Sequence, residues 1–165
     1  KKEKENLQHK LDNYSISNEE FSRGLSSLFG LQHERKTKTA ILYLKKSSEK
    51  GNCFASYFLG ILYEYGNIIE RNIPLMLYYY EKSAEQGNSH GFNRIGYLYN
   101  LGQILPNNKQ KAFEYYQLGA SLGNSYSINN LASFYLYGDV VEKDLSKAFN
   151  LYQKSAELGN SYGST

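Results

Sequence analysis

A period of 36 residues runs through the chain without an insertion, and it restricts the fold more than any other feature. The dipeptide Gly-Asn recurs at Gly51-Asn52, Gly87-Asn88, Gly123-Asn124 and Gly159-Asn160, each pair 36 residues after the last. A second glycine series, Gly30, Gly66, Gly102 and Gly138, keeps the same step. So do two tyrosine series, Tyr63, Tyr99, Tyr135 and Tyr80, Tyr116, Tyr152. Self-similarity at about 20 to 50 residues marks a stacked-repeat architecture. Such folds work through a long surface rather than a pocket, which points to binding rather than chemistry.

Each copy reads as a helix–turn–helix unit. In residues 53–88 the segment Cys53 to Tyr65 carries Phe54, Tyr57, Phe58, Leu59, Ile61, Leu62 and Tyr63. That is a helical stripe wide enough to meet neighbours on more than one side. Gly66 follows as a left-handed C-cap. After a short apolar connector, Asn72 and its equivalents Asn108 and Asp144 stand where an N-cap belongs. The second helix then runs to about Glu85 and stops at Gly87, with Pro74 in its first turn, where a missing donor matters least.

Small residues mark where the paired helices press together. The series are Gly24, Gly60, Gly96, Ala132; Ser48, Ala84, Ala120, Ala156; and Ala40, Met76, Ala112, Ala148, the last broken only by Met76. A glycine inside a helix costs roughly 1 kcal/mol against alanine. Its return at one register therefore predicts close approach, with large aromatics on the facing helix filling the space.

Composition narrows the function classes. No apolar run approaches the ~20 residues that cross a bilayer. A single cysteine, Cys53, excludes an intrachain disulfide framework and leans towards a reducing, cytoplasmic setting. Cys53 itself reads as a small residue opening a repeat, where the other copies have Ser89 and Ser125. The net charge of +3 is uneven: residues 1–50 hold 11 Lys/Arg against 7 Asp/Glu, residues 51–165 hold 8 against 9. The excess lies in Arg35, Lys36, Lys38, Lys45, Lys46 and Lys50. A nucleic-acid groove needs basic residues recurring along the repeats. These repeats are near neutral, so no nucleic acid is expected as partner, and the basic segment reads as a solvated outer face.

The repeat resembles the Sel-one-like repeat, a relative of the tetratricopeptide repeat. The resemblance rests on Leu59-Gly60-x-x-Tyr63-x-x-Gly66 and Tyr79-Tyr80-x-x-x-Ala84-x-x-Gly87, and covers residues 53–160 three times. Lys147-Ala148-Phe149-x-x-Tyr152-x-Lys154-Ser155-Ala156-x-x-Gly159 fits the second half best. One departure is that Ile68, Ile104 and Val140 stand where the family has a second glycine, so the connector is expected to tuck an apolar side chain inward. Residues 17–52 form a degenerate first repeat, with Arg23 and Ser27 replacing Leu and Tyr. The organisation expected is a charged helical lead-in or linker at residues 1–16, this first repeat, then repeats at 53–88, 89–124 and 125–160. Residues 161–165 begin a further copy, and both ends read as cuts from a longer protein with a flanking domain. A truncated last repeat would leave an apolar stacking face exposed.

The resemblance implies an all-α, right-handed superhelix (an α-solenoid) that acts as a non-enzymatic scaffold or adaptor for a protein or peptide partner. By analogy with tetratricopeptide proteins, the first helix of each pair lines the concave face. The residues placed there are Phe54, Tyr57, Ile61, Glu64 and Tyr65; His90, Asn93, Tyr97, Asn100 and Leu101; and Tyr126, Asn129, Ser133, Leu136 and Tyr137. Tyrosine offers rigid contact area with a polar tip, and asparagine can satisfy both donor and acceptor of an extended backbone. The remaining tyrosines, Tyr63, Tyr79, Tyr99, Tyr115 and Tyr135, read as core.

No catalytic residue, cofactor or metal is expected. His9, His33 and His90 fall in separate units without paired ligands, and there is no phosphate loop or nucleophile elbow. Two alternatives stand beside the scaffold. RNA or an anionic surface would bind through the basic first repeat. A hydrolase would follow cysteine-rich, penicillin-binding relatives, whose regular cysteine pairs this chain lacks.

Overall fold

The computed structural model of the chain describes residues 16–28 and 37–161. Every regular element among them is helical: α1 (residues 16–28), α2 (Thr37–Glu49), α3 (Cys53–Tyr65), α4 (Ile73–Glu85), α5 (His90–Leu101), α6 (Lys109–Ser121), α7 (Ser125–Tyr137) and α8 (Leu145–Ser161). The fold is an all-α helical-repeat solenoid, with α3 paired to α4, α5 to α6 and α7 to α8. Two compact units divide it, Lys1–Asn88 and Ser89–Thr165. In the first, α3 also packs on α2; in the second, α7 packs on α6. Most of the expected lead-in, the first repeat's Gly30, and residues 162–165 lie outside the described residues.

The Gly-Asn pair does two jobs at once. Gly51, Gly87 and Gly123 take φ of +95°, +106° and +77°, which lets the chain reverse. The following asparagine N–H returns to the helix just ended, Asn52 to the Ser47 carbonyl at 3.1 Å and Asn124 to that of Gly119 at 3.0 Å. Its side chain then opens the next helix. Asn52 Oδ1 accepts from the N–H groups of Phe54 and Ala55 at 3.0 Å each, and Asn124 Oδ1 from that of Ser127 at 2.9 Å. Helix α5 departs from this pattern, since Ser89 precedes it without a side-chain cap.

Gly159-Asn160, expected to end the last helix in the same way, lies inside α8, which runs on to Ser161. At the other three sites the turn delivers the chain into a following helix, and among the described residues none follows α8.

The second helices start as expected. Asn72, Asn108 and Asp144 accept from the N–H groups of Leu75, Lys111 and Lys147 at 3.0, 3.0 and 2.9 Å. Their own N–H groups reach back to the carbonyls of Tyr63, Tyr99 and Tyr135 at 3.1, 3.0 and 2.9 Å, which fixes the connector on the first helix. The connectors themselves differ from expectation. Val140 does not tuck inward but is 44% exposed, with φ of +66°. Ile68 and Ile104 are half-buried, and the side chain fully taken in is Leu105, one position later.

Glycine and aromatic ring meet as the small-residue series predicts. A Cβ on Gly60 would stand 2.6 Å from the Tyr80 ring, and one on Gly96 would stand 2.8 Å from the Tyr116 ring. Both rings are fully buried. Ala40, Met76, Ala112 and Ala148 are buried as well, so Met76 fits its series without being small. In the second unit Ala112, Phe113, Tyr116, Leu131 and Phe134 form one core, with Phe113 edge-on to Phe134 at 5.5 Å. Phe149 holds the register of Phe113 yet is 68% exposed, and Ala156 is exposed too, because no described helix packs on that side of α8.

Candidate protein-binding face

In the first unit, α3 sends the planned residues to different depths. Phe54 and Tyr65 are exposed, whereas Tyr57 and Ile61 are half-buried. The Tyr57 ring lies against that of Tyr80, centroids 5.4 Å apart. Glu64 does not face outward. Its carboxylate is buried and accepts from the Tyr80 hydroxyl at 2.5 Å, so it completes the core beside the ring that covers Gly60. Arg71 reaches the Glu64 carbonyl with Nε at 2.8 Å and closes the connector over that helix end.

In the second unit, side chains join α5 to α7. Asn93 Oδ1 accepts from Ser127 Oγ and from Asn130 Nδ2, each at 3.2 Å. Asn124 Nδ2 donates to Ser89 Oγ at 3.2 Å, and the His90 and Tyr126 rings meet with centroids 5.8 Å apart. Gly119 of α6 leaves room for Ser127 beneath this seam. The Arg94 guanidinium sits over the Tyr97 ring, 5.2 Å from its centroid. Ser133 is half-buried, and its hydroxyl meets that of Tyr152 at 2.9 Å.

Each residue singled out in the sequence therefore has a place. His90, Tyr97, Asn100, Leu101, Tyr126, Asn129 and Tyr137 are exposed along α5 and α7, and Leu136 is half-buried. Asn93 and Asn129, alike in register, differ in duty. Asn129 is exposed, whereas the Asn93 oxygen is spent on holding α7. Ser127 and Asn130, which make that lock, were missed. Asn130 has no signal in the repeat, since the same register holds Phe58 and Arg94.

The Cys53 thiol is half-buried, and burial pushes its pKa up, away from a nucleophilic thiolate. Among the described residues no three His, Cys, Asp or Glu side chains converge as a metal site requires. Of the basic residues in the first repeat, Arg35 and Lys36 lie outside the described residues. Lys50 is paired with Glu20, Nζ to Oε1 2.9 Å. Among the described residues no helix is long and apolar enough to cross a membrane.

Comparison with known proteins gives a consistent picture. The family model for the Sel1 repeat matches residues 23–52, 54–88, 93–124 and 125–160. A Sel1 repeat protein from Oxalobacter formigenes is similar in structure, with a TM-score of 0.76 and 25% identity over 88% of this chain and 59% of that one. The protein c5321, a protective antigen of uropathogenic Escherichia coli with an SLR fold, has a TM-score of 0.71 and 29% identity over 87% of this chain and 31% of its own. Cysteine rich protein B of Helicobacter pylori shares the fold, with a TM-score of 0.58 and 23% identity over 79% and 93% of the two chains. The chain spans less than two thirds of the first two. No curated protein sequence matches it.

Proposed function

The chain belongs to the Sel1 repeat family, and on that footing we propose that it is a non-enzymatic scaffold holding a protein or peptide partner on the outward side of its first helices. The observation that carries this reading is the α5–α7 face. Tyr97, Tyr126 and Tyr137 are exposed there beside His90, Asn100 and Asn129. Exposed aromatics gathered on one face mark interaction sites more often than chance surface. The seam of Asn93, Ser127 and Asn130 holds the two helices in fixed register, so the face is formed before a partner arrives and less ordering entropy is lost on binding. Phe54 and Tyr65 on α3 offer a second, smaller contact in the first unit.

The test is affinity capture followed by quantitative binding of the captured partner. A Tyr97→Ala/Tyr126→Ala/Asn129→Ala variant is compared with the wild type, and a Phe54→Ala/Tyr65→Ala variant is run separately. These positions point outward, so circular dichroism should keep its helical signal. We expect the α5–α7 variant to weaken binding by at least tenfold, corresponding to roughly 1.4 kcal/mol or more. Equal binding by wild type and both variants would remove the first-helix face as the site.

A further inference from the structure

The first unit holds a cavity of about 370 Å³ between α2, the end of α3 and the connector to α4. Its floor is apolar, formed by Ile41, Tyr63 and Ile69, and its mouth carries Glu70, Arg71 and Asn72, all exposed. The 36-residue period supplies a template for this space. Two steps along the sequence, the registers of the three floor residues hold Phe113, Tyr135 and Val141. There the Phe113 ring lies edge-on to Phe134 at 5.5 Å and to Tyr135 at 6.0 Å, and Val141 packs on the same core. In the first unit Ile41 stands for Phe113 and Leu62 for Phe134, so of those three rings only Tyr63 remains. Phe113 is buried, whereas Ile41 is half-buried. Space that a ring closes in one unit is open to solvent in the other.

The volume falls at the small end of the range for ligand sites, about 300–1,000 Å³. One wall is formed in advance, because the Tyr63 ring is stacked on Tyr79 with centroids 5.9 Å apart and planes 5° from parallel. Such a ring favours a second ring, edge-on or offset, over an aliphatic chain of similar area. The mouth suits a polypeptide. Asn72 Oδ1 accepts from the Leu75 N–H, which leaves Nδ2 as a donor, and Arg71 spends Nε on the Glu64 carbonyl, which leaves its terminal nitrogens. The Glu70 carboxylate is an acceptor beside them. Donors and an acceptor so placed match the C=O and N–H groups that flank a side chain, whereas a free aromatic molecule offers them no backbone. We infer that this cavity takes an aromatic side chain, phenylalanine or tyrosine, of a protein partner. The ring occupies the place that Phe113 fills in the second unit, and its flanking backbone meets Glu70, Arg71 and Asn72. The site does not depend on the α5–α7 face.

The experiment is titration of the chain, with isoleucine methyls labelled for NMR, by N-acetyl-phenylalanine methylamide. The comparison probes are N-acetyl-leucine methylamide and p-cresol. We expect saturable ring-current shifts at the Ile41 and Ile69 methyls, with a Kd on the order of 1 mM for a probe of this size. The leucine amide and p-cresol should each bind at least fivefold more weakly, the first for want of a ring and the second for want of a backbone. Ile41→Phe restores the missing ring from within, so it should abolish the shifts at Ile69 without lowering Tm. Equal binding of the leucine amide would overturn the aromatic assignment, and equal binding of p-cresol would overturn the assignment to a protein side chain. Undiminished binding by Ile41→Phe, or no saturable shift in the wild type, would overturn the site itself. Should Ile41→Phe fail to fold, intermolecular NOEs in the wild type decide: contacts from the probe's ring protons to the Ile41 and Ile69 methyls support the site, and their absence overturns it.

Discussion

Val140 is the residue whose backbone conflicts most plainly with its side chain. It is the only non-glycine among the described residues with positive φ, at +66°, two positions after Gly138. The left-handed region costs an L-residue about 1–2 kcal/mol, and a β-branched residue adapts to it poorly. Val140 is 44% exposed, so little packing offsets that cost. Val140→Gly should therefore raise stability by about 1 kcal/mol, less the larger chain entropy that glycine loses on folding. Thermal unfolding would register this as an increase in Tm of roughly 2–4 °C for a chain of this size. A lower Tm would mean that valine contacts matter more than the backbone term. Ile68 and Ile104, at the same register, keep negative φ. Repeat position alone did not reveal that one connector of three carries this strain.

At the scale of elements, the α3–α4 and α5–α6 pairs are each set by one glycine and one ring. Tyr116 has a Cδ1 and a Cε1 at 2.8 Å from where a Gly96 Cβ would be, and the Ala112 carbonyl at 3.2 Å. The ring is buried and cannot swing away without opening the core of the second unit. Gly96→Leu should force α5 from α6 and destabilise by roughly 1–3 kcal/mol, with the helical signal largely kept. An unchanged midpoint in urea would refute the close-packing assignment. The helix bounds and this packing were legible beforehand, because glycine returns at a fixed register and the apolar stripe has the helical period. The N-capping by Asn52 and Asn124 was not read, although their spacing was noticed. A repeated residue shows that something recurs, not which hydrogen bond it makes.

For the whole molecule, the burial of tyrosine hydroxyls predicts how stability depends on alkaline pH. Burial, with the stacked Tyr63 and edge-on Tyr78 nearby, pushes the Tyr79 pKa up from 10 to about 12, and burial raises that of Tyr116 as well. The neutral phenol is thus favoured by the folded state. Its contribution is complete below pH 10, the unfolded value, and is lost as pH rises through 10 towards 12, because the unfolded chain gives up the protons first. Urea midpoints should hold steady up to about pH 9 and fall between pH 10 and 12, while phenolate absorbance shows tyrosines that titrate late. A flat midpoint across that window would contradict buried hydroxyls. The sequence by itself determined the all-α class, the 36-residue unit, its helix bounds and the glycine contacts, since these follow from periodicity, caps and size, which are local properties. Only the tertiary structure decided that Glu64 turns inward to Tyr80, that Asn93 locks α7 while Asn129 stays open, and that Phe149 remains uncovered where Phe113 is buried. Each of these depends on what the neighbouring helix brings to the contact, and residues at equal registers meet different neighbours.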